Sequence, residues 1–266
     1  MDFLQIWVLA LVQGITEFLP VSSSAHLILT AHLLGLGKGF LAFDIAVHGG
    51  TLAAVIFHFR RELVNISSAQ PVSSKSTLSF NQNIWPPLVV ASLPVIIAGA
   101  LLEGLISNEL RSTWVIATTT IIFAFALWYA DSNRRTNIVR TISLKYAFII
   151  GLAQVLALIP GTSRAGITIT AALLLGLSRR QSLNFSFLLA IPVIGGAVVF
   201  NAWNMLQDPE AQVALWYPII LGFIISALFA LLTIKLFIHF VEKIGLLPFV
   251  IYRLLLGVVL FLLITN

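Results

Sequence analysis

The chain has 266 residues, 59% of them hydrophobic and only 9% charged, with a mean hydropathy of +1.02. Soluble domains carry about 25% charged residues, so a soluble globular fold is excluded; the lack of cysteine also excludes disulfides, thiol nucleophiles and Cys-bound metals. The net charge of +5 fits the cytoplasmic loops of a membrane protein and gives no reason to expect a nucleic-acid partner.

The apolar runs are continuous rather than alternating, which predicts membrane helices and not a β-barrel. No basic n-region or small-residue cleavage site opens the chain, so no removable signal peptide is expected. In chain order, an apolar arm over 3–19 runs into a polar break, Gln13-Gly14-Ile15-Thr16-Glu17-Phe18-Leu19-Pro20-Val21-Ser22-Ser23-Ser24-Ala25-His26. A short apolar stretch, 25–36, follows. Spans are predicted over 41–59, 85–106 and 113–131, each near the ~20 residues a crossing needs. A second arm, 144–159, then meets a second break, Gln154-Val155-Leu156-Ala157-Leu158-Ile159-Pro160-Gly161-Thr162-Ser163-Arg164-Ala165-Gly166. Another short stretch, 165–177, precedes spans over 185–205, 215–238 and 248–265. Short arms paired around a polar break suggest re-entrant hairpins, where irregular backbone is buried by protein.

The two halves share this plan. A shift of 140 residues places Pro20 on Pro160, Ser23 on Ser163, Ala25 on Ala165 and Thr30 on Thr170. One hairpin plus three spans is an odd number of crossings, so the second copy should lie inverted. The expected fold is an all-α integral membrane bundle in a single domain, 1–266. Its two inverted repeats cover about 1–131 and 144–266, each a re-entrant helical hairpin plus three transmembrane helices. Arg60, Arg61, Arg134, Arg135, Arg140, Lys145, Arg179 and Arg180 mark cytoplasmic loops; Glu103, Glu109, Asp208 and Glu210 mark the opposite side. Both flanks of the second hairpin then share one face. The first hairpin enters from outside, and both termini face outward.

Hairpins entering from opposite faces bring their tips together near mid-membrane. Two helix N-termini there aim unpaired N–H groups and positive dipole ends at one spot, an anion site. Ser22, Ser23, Ser24, Thr162 and Ser163 add donors, and Gly161 and Gly166 permit close approach of a ligand. Any single serine here also suits a helix cap. Arg164 is harder to explain structurally, because a charge at membrane depth is costly; its planar fork matches phosphate oxygens. Gln13 and Glu17, four apart on one helical face, can offer oxygen to Mg2+ or Ca2+. Glu17 can equally serve as a base or simply pair with Arg164. His26, one turn into its short helix, is a candidate acid/base or nucleophile, with Ser23 the competing nucleophile. Asp44, His48, His32 and His58 are weaker candidates.

These motifs closely resemble the undecaprenyl-diphosphatase family, the bacitracin-resistance type. The resemblance is carried by Gln13-x-x-x-Glu17, Phe18-Leu19-Pro20-Val21-Ser22-Ser23, His26, Pro160-Gly161-Thr162-Ser163-Arg164, Phe185-Ser186-Phe187-Leu188-Leu189-Ala190 and Ile251-Tyr252-Arg253, and it covers essentially the whole chain. It implies a bacterial inner-membrane enzyme that removes one phosphate from a polyprenyl diphosphate lipid and so supplies undecaprenyl phosphate for peptidoglycan synthesis. It also implies a divalent metal, Mg2+ or Ca2+, and a site reached from the periplasm. Glu17, Ser23, His26 and Arg164 would be catalytic. Ser22, Ser24, Gly161, Thr162, Ser163 and Arg164 would bind phosphate, and Glu17 with Gln13 would bind metal. Gln13 stands where many members have Glu, Asn184 where some have Glu, and Ala165 where Ser is frequent. Besides the lipid substrate and the surrounding membrane lipids, a homo-oligomer is an open expectation. The rival class is a transporter or flippase for a polyprenyl phosphate, because inverted repeats with broken helices also build transporters.

Overall fold

The computed structural model describes residues 1–36, 41–64, 84–108, 110, 112–134, 141–207 and 216–265; these form helices and turns, with no strand among them. In chain order the helices are α1 (Phe3–Thr16), α2 (Ser23–Leu33), α3 (Leu41–His58), α4 (Arg60–Val64), α5 (Trp85–Asn108), α6 (Thr113–Ser132), α7 (Leu144–Val155), α8 (Arg164–Leu174), α9 (Arg179–Gln207), α10 (Trp216–Ile244) and α11 (Leu247–Thr265). A 3-10 turn, Leu156–Leu158, extends α7.

Length divides these helices into two kinds. Helices α3, α5, α6, α9 and α10 are long and apolar enough to cross a membrane. Helix α11 has 19 residues of the same character and packs along α6. By contrast α1, α2, α7 and α8 have 14, 11, 12 and 11 residues. At about 1.5 Å per residue none of these four reaches across a ~30 Å hydrocarbon core. The molecule is a membrane helical bundle.

Local chemistry sets the boundaries. Helix α1 starts at a capping box: the Gln5 amide donates to Asp2, and the Asp2 amide donates to the Gln5 side chain. The same device moves the start of α9 to Arg179, six residues before the expected 185. The Ser178 amide donates to Gln181 Oε1 and the Gln181 amide to Ser178 Oγ. Hydropathy does not see such a polar helix start. The short helices also begin earlier than expected, at Ser23 and Arg164 rather than at 25 and 165.

The two breaks align differently from the sequence register. Ser22 and Ser163 are the N-caps of α2 and α8, and they alone among the described non-glycine residues have positive φ, 73° and 70°. They stand 141 residues apart, as do the glycines that end the short helices, Gly35 and Gly176. By position at the helix starts, Ser22 matches Ser163 and Ser23 matches Arg164. Two residues lead from Pro20 to its N-cap and three from Pro160 to its own.

Helices approach closely where glycine removes a side chain. A Cβ on Gly50 would collide with the Phe223 carbonyl and the Ser226 hydroxyl, and one on Gly14 would lie 2.7 Å from the Ser226 carbonyl. These contacts draw α1 and α3 onto α10, as small residues do in membrane interfaces. Elsewhere the outer faces are apolar and exposed, as at Ile97, Leu101, Phe125 and Val199. On α6, exposed Trp114 and Trp128 lie about 21 Å apart along the axis, the placement of interfacial aromatics.

One polar knot gathers three helix ends. Asp131, at the end of α6, accepts from Arg179 Nε and Nη2, both at 2.7 Å, from Arg134 Nη1 at 3.0 Å, and from the Leu246 amide at 3.3 Å. This joins the C-terminus of α6, the N-terminus of α9 and the turn between α10 and α11 at one end of the bundle. Arg135 and Arg140, Glu109, Asp208 and Glu210, used in the loop-charge reading, lie outside the described residues.

Candidate active site

Each break in the apolar arms leaves a polar side chain next to a helix start. Helix α1 stops at Thr16, and Glu17 forms its C-cap. The turn through Pro20 and Val21 then delivers Ser22 to the start of α2. Helix α7 tightens into its 3-10 turn and passes through Pro160 and Gly161 to Ser163, where α8 begins with Arg164 as its first residue. The first residues of the two short helices, Ser23 and Arg164, meet on one carboxylate. Ser23 Oγ donates to Glu17 Oε2 at 2.8 Å, and Arg164 Nη2 donates to Glu17 Oε1 at 3.2 Å.

Both charges are largely withdrawn from solvent, at 7% and 13% side-chain exposure, so each depends on the other and on further bonds. Arg164 Nη1 also donates to the Ser186 carbonyl at 2.8 Å, and its guanidinium stands 5.9 Å from the Phe18 ring centre. Ser163 Oγ caps α8 by accepting from the Gly166 amide. Ser22 makes no such cap and exchanges its hydroxyl contact with Ser24 at 3.2 Å.

A cavity of about 430 Å3 opens over this group. Glu17, Ser22, Ser23, Ser24, Ser163 and Arg164 give it a polar part; Leu41, Ile45, Val193, Ile194, Ala197 and Val198 give it an apolar wall. Asp44 and His48 of α3 and Asn201 of α9 complete the lining. A polar anion-seeking floor beside an apolar wall suits an amphiphile with an anionic head.

The other expected site residues stand elsewhere. Gly161 and Thr162 are not in the cavity lining. A Cβ on Gly161 would collide with Thr119 Oγ1 and the Ile116 carbonyl, so its bareness admits helix α6 and not a ligand. Its φ of +92° also favours glycine. A Cβ on Gly166 would lie 2.8 Å from Arg253 Nη1, so that glycine likewise makes room for protein. Thr162 is fully buried. His26 lies outside the lining too: Nδ1 is 2.7 Å from the Ser22 carbonyl, and Nε2 meets the Tyr252 hydroxyl of α11.

Gln13 is fully buried and reaches Glu17 through its amide N–H, Nε2 to Oε2 at 2.9 Å, leaving its Oε1 without a partner. Glu17 thus already accepts from Gln13, Ser23 and Arg164. Hard cations need oxygen lone pairs turned toward them, and no group of three His, Asp or Glu among the described residues could hold a metal ion. In this pair the oxygen left to offer a cation is Gln13 Oε1, the atom without a partner.

Arg253 was quoted in the sequence only as part of a matching stretch. It is fully buried, and its guanidinium donates to four carbonyls: Thr120 on α6, Pro20 in the first break, and Gly161 and Thr162 in the second. It binds both breaks to each other from behind the cavity. The signal was available, since an arginine within an apolar span is as costly as Arg164.

The family model described as bacitracin resistance protein BacA matches residues 6–259 of this chain. An undecaprenyl-diphosphatase of Teredinibacter turnerae is 50% identical over 265 residues, covering 98% of this chain and 99% of its own. One of Saccharophagus degradans is 48% identical over 262 residues, covering 98% of each. Undecaprenyl-diphosphatase 2 of Stutzerimonas stutzeri is 47% identical over 273 residues and the whole of both chains.

Proposed function

Since the chain belongs to the BacA bacitracin resistance family, we propose that it is an undecaprenyl-diphosphatase, hydrolysing undecaprenyl diphosphate to undecaprenyl phosphate and inorganic phosphate. The product returns the lipid carrier to peptidoglycan synthesis, and its recycling underlies bacitracin resistance. The observation that carries this reading at the level of the site is the meeting of Ser23 and Arg164 on Glu17, beside an apolar-walled cavity. The prenyl chain lies along the apolar wall and the diphosphate over the two helix starts.

In this reading Ser23 attacks the terminal phosphorus, and Glu17 takes its proton. Prenyl phosphate leaves with the bridging oxygen. Arg164 and the N-termini of α2 and α8 oppose the charge that develops on the transferred group. Water then releases phosphate from Ser23. His26, with both ring nitrogens engaged, is left to orient the first turn of α2.

The same reading takes α1–α2 and α7–α8 as re-entrant hairpins of two inverted repeats, in the inner membrane, with the cavity open to the periplasm. Its support is the length of the four short helices and the matched N-cap serines. The matched breaks also support the rival reading, a polyprenyl phosphate flippase. Purified protein in detergent decides between them. Release of phosphate from undecaprenyl diphosphate, abolished by Ser23→Ala, is expected; no release would leave the transporter.

A further inference from the structure

The cavity holds a histidine that the sequence ranked low. His48 lies on α3 and lines the same cavity as Glu17, Ser23 and Arg164. Its Nδ1 is 2.7 Å from the Asp44 carbonyl oxygen, one helical turn back. A carbonyl only accepts, so Nδ1 carries the proton and Nε2 of the neutral ring carries the lone pair. Nε2 has no hydrogen-bond partner among the described residues. His26 is the converse case: it lies outside the cavity lining and both its nitrogens are engaged.

The reaction needs such a group at one step. In the first half, the proton of Ser23 goes to Glu17, and the departing prenyl phosphate is a phosphate with a pKa near ~6, which leaves without help from an acid. In the second half the attacking group is water, a far weaker acid than the departing prenyl phosphate, and Glu17 is already protonated. A second base is therefore required, beside the cavity and free to accept.

We propose that His48 is the catalytic base of this second half, a role that rests on the Ser23 route proposed above. His48 Nε2 takes a proton from water as the water oxygen bonds to phosphorus. The bond from phosphorus to Ser23 Oγ breaks, and the leaving oxygen recovers its proton from Glu17. Inorganic phosphate departs, and the imidazolium gives its proton to the outgoing phosphate or to solvent. The cycle consumes one water and restores every side chain.

Two variants and one trapped species test this. His48→Gln keeps a polar side chain of similar reach without a proton-accepting nitrogen, and His48→Ala leaves room for free imidazole. Each is mixed with prenyl diphosphate carrying labelled terminal phosphate, quenched in acid, and the protein-bound label is mapped. His48→Gln should turn over at least about 100-fold more slowly. It should accumulate phosphate on Ser23 toward one per chain, with a matching burst of prenyl phosphate. Added imidazole should speed phosphate release from His48→Ala. Turnover of His48→Gln within threefold of the parent overturns the proposal. So does a slow variant with no bound phosphate and no response to imidazole, the behaviour of a side chain that only packs α3. If Ser23→Ala turns over like the parent, the covalent route itself is wrong and the assignment falls with it. If the parent releases no phosphate, the fault lies in the proposed function.

Discussion

Glu17 shows how one side chain organises the site, because three donors from three places converge on it. Arg164→Lys retains a positive charge but loses the fork that serves Glu17 and the Ser186 carbonyl together. Its kcat/KM should fall at least about 100-fold, the scale for losing one transition-state donor; a variant within a few-fold of the parent would remove Arg164 from the phosphate. Glu17→Gln should lose at least about 100-fold in kcat by the same assay, with the protein still folded. Gln13→Glu tests the metal question. It replaces the N–H that faces Glu17 with a second carboxylate, and two carboxylates that close share a proton or recruit a cation. Activity of Gln13→Glu should respond to free Mg2+ or Ca2+ at a lower concentration than the parent after chelator treatment. Identical midpoints would separate position 13 from any cation that takes part. At this scale the sequence disclosed Glu17, Ser23 and Arg164, because a charge or hydroxyl cluster between apolar arms is conspicuous. It did not disclose that Gly161 gives way to α6, that Arg253 lies behind the breaks or that His48 shares the cavity. Those facts depend on which faces of distant helices come together.

The helices themselves were legible wherever apolar length alone decides. The spans at α3, α5 and α6 match their expected limits to within two residues. The limits fail where hydrogen bonding decides: α9 begins at a capping box and α2 inside its own serine cluster. Positive φ at Ser22 and Ser163 costs about 1–3 kcal/mol each, and such strain persists only where surrounding structure imposes it. Arg253 supplies that constraint by holding the Pro20, Gly161 and Thr162 carbonyls next to the two serines. The Asp131 knot acts at the other end of the elements, with no residue of the cavity in it. Asp131→Asn removes the charge facing Arg179 and Arg134 while keeping the shape. It should cost about 3 kcal/mol, the scale for breaking a buried pair from one side. Thermal unfolding in detergent should show the loss, while kcat per folded molecule stays within about twofold. A large fall in kcat at unchanged stability would tie the knot to the chemistry instead.

For the whole molecule, composition sufficed to give a helical membrane bundle, whereas the 141-residue spacing of the positive-φ serines, Ser22 and Ser163, shows only in the backbone. Orientation rests on loop charge, and single-cysteine probes can read it because the chain has no cysteine of its own. Cysteines at Arg134 and Arg180 should resist an impermeant thiol reagent in intact cells, and cysteines at Glu109 and Asp208 should react. The reverse pattern would invert the molecule in the membrane, and disagreement between 134 and 180 would break the second hairpin. A further consequence follows from Arg253. A carrier that works by alternating access rocks one repeat against the other, so the contacts between its repeats must break and reform in every cycle. Here a single guanidinium with no solvent exposure grips both breaks at once. Loosening either would strip a fully buried cation of part of its hydrogen bonding. The two breaks are thereby tied through one side chain, and sliding one past the other would have to break its bonds to Pro20 or to Gly161 and Thr162.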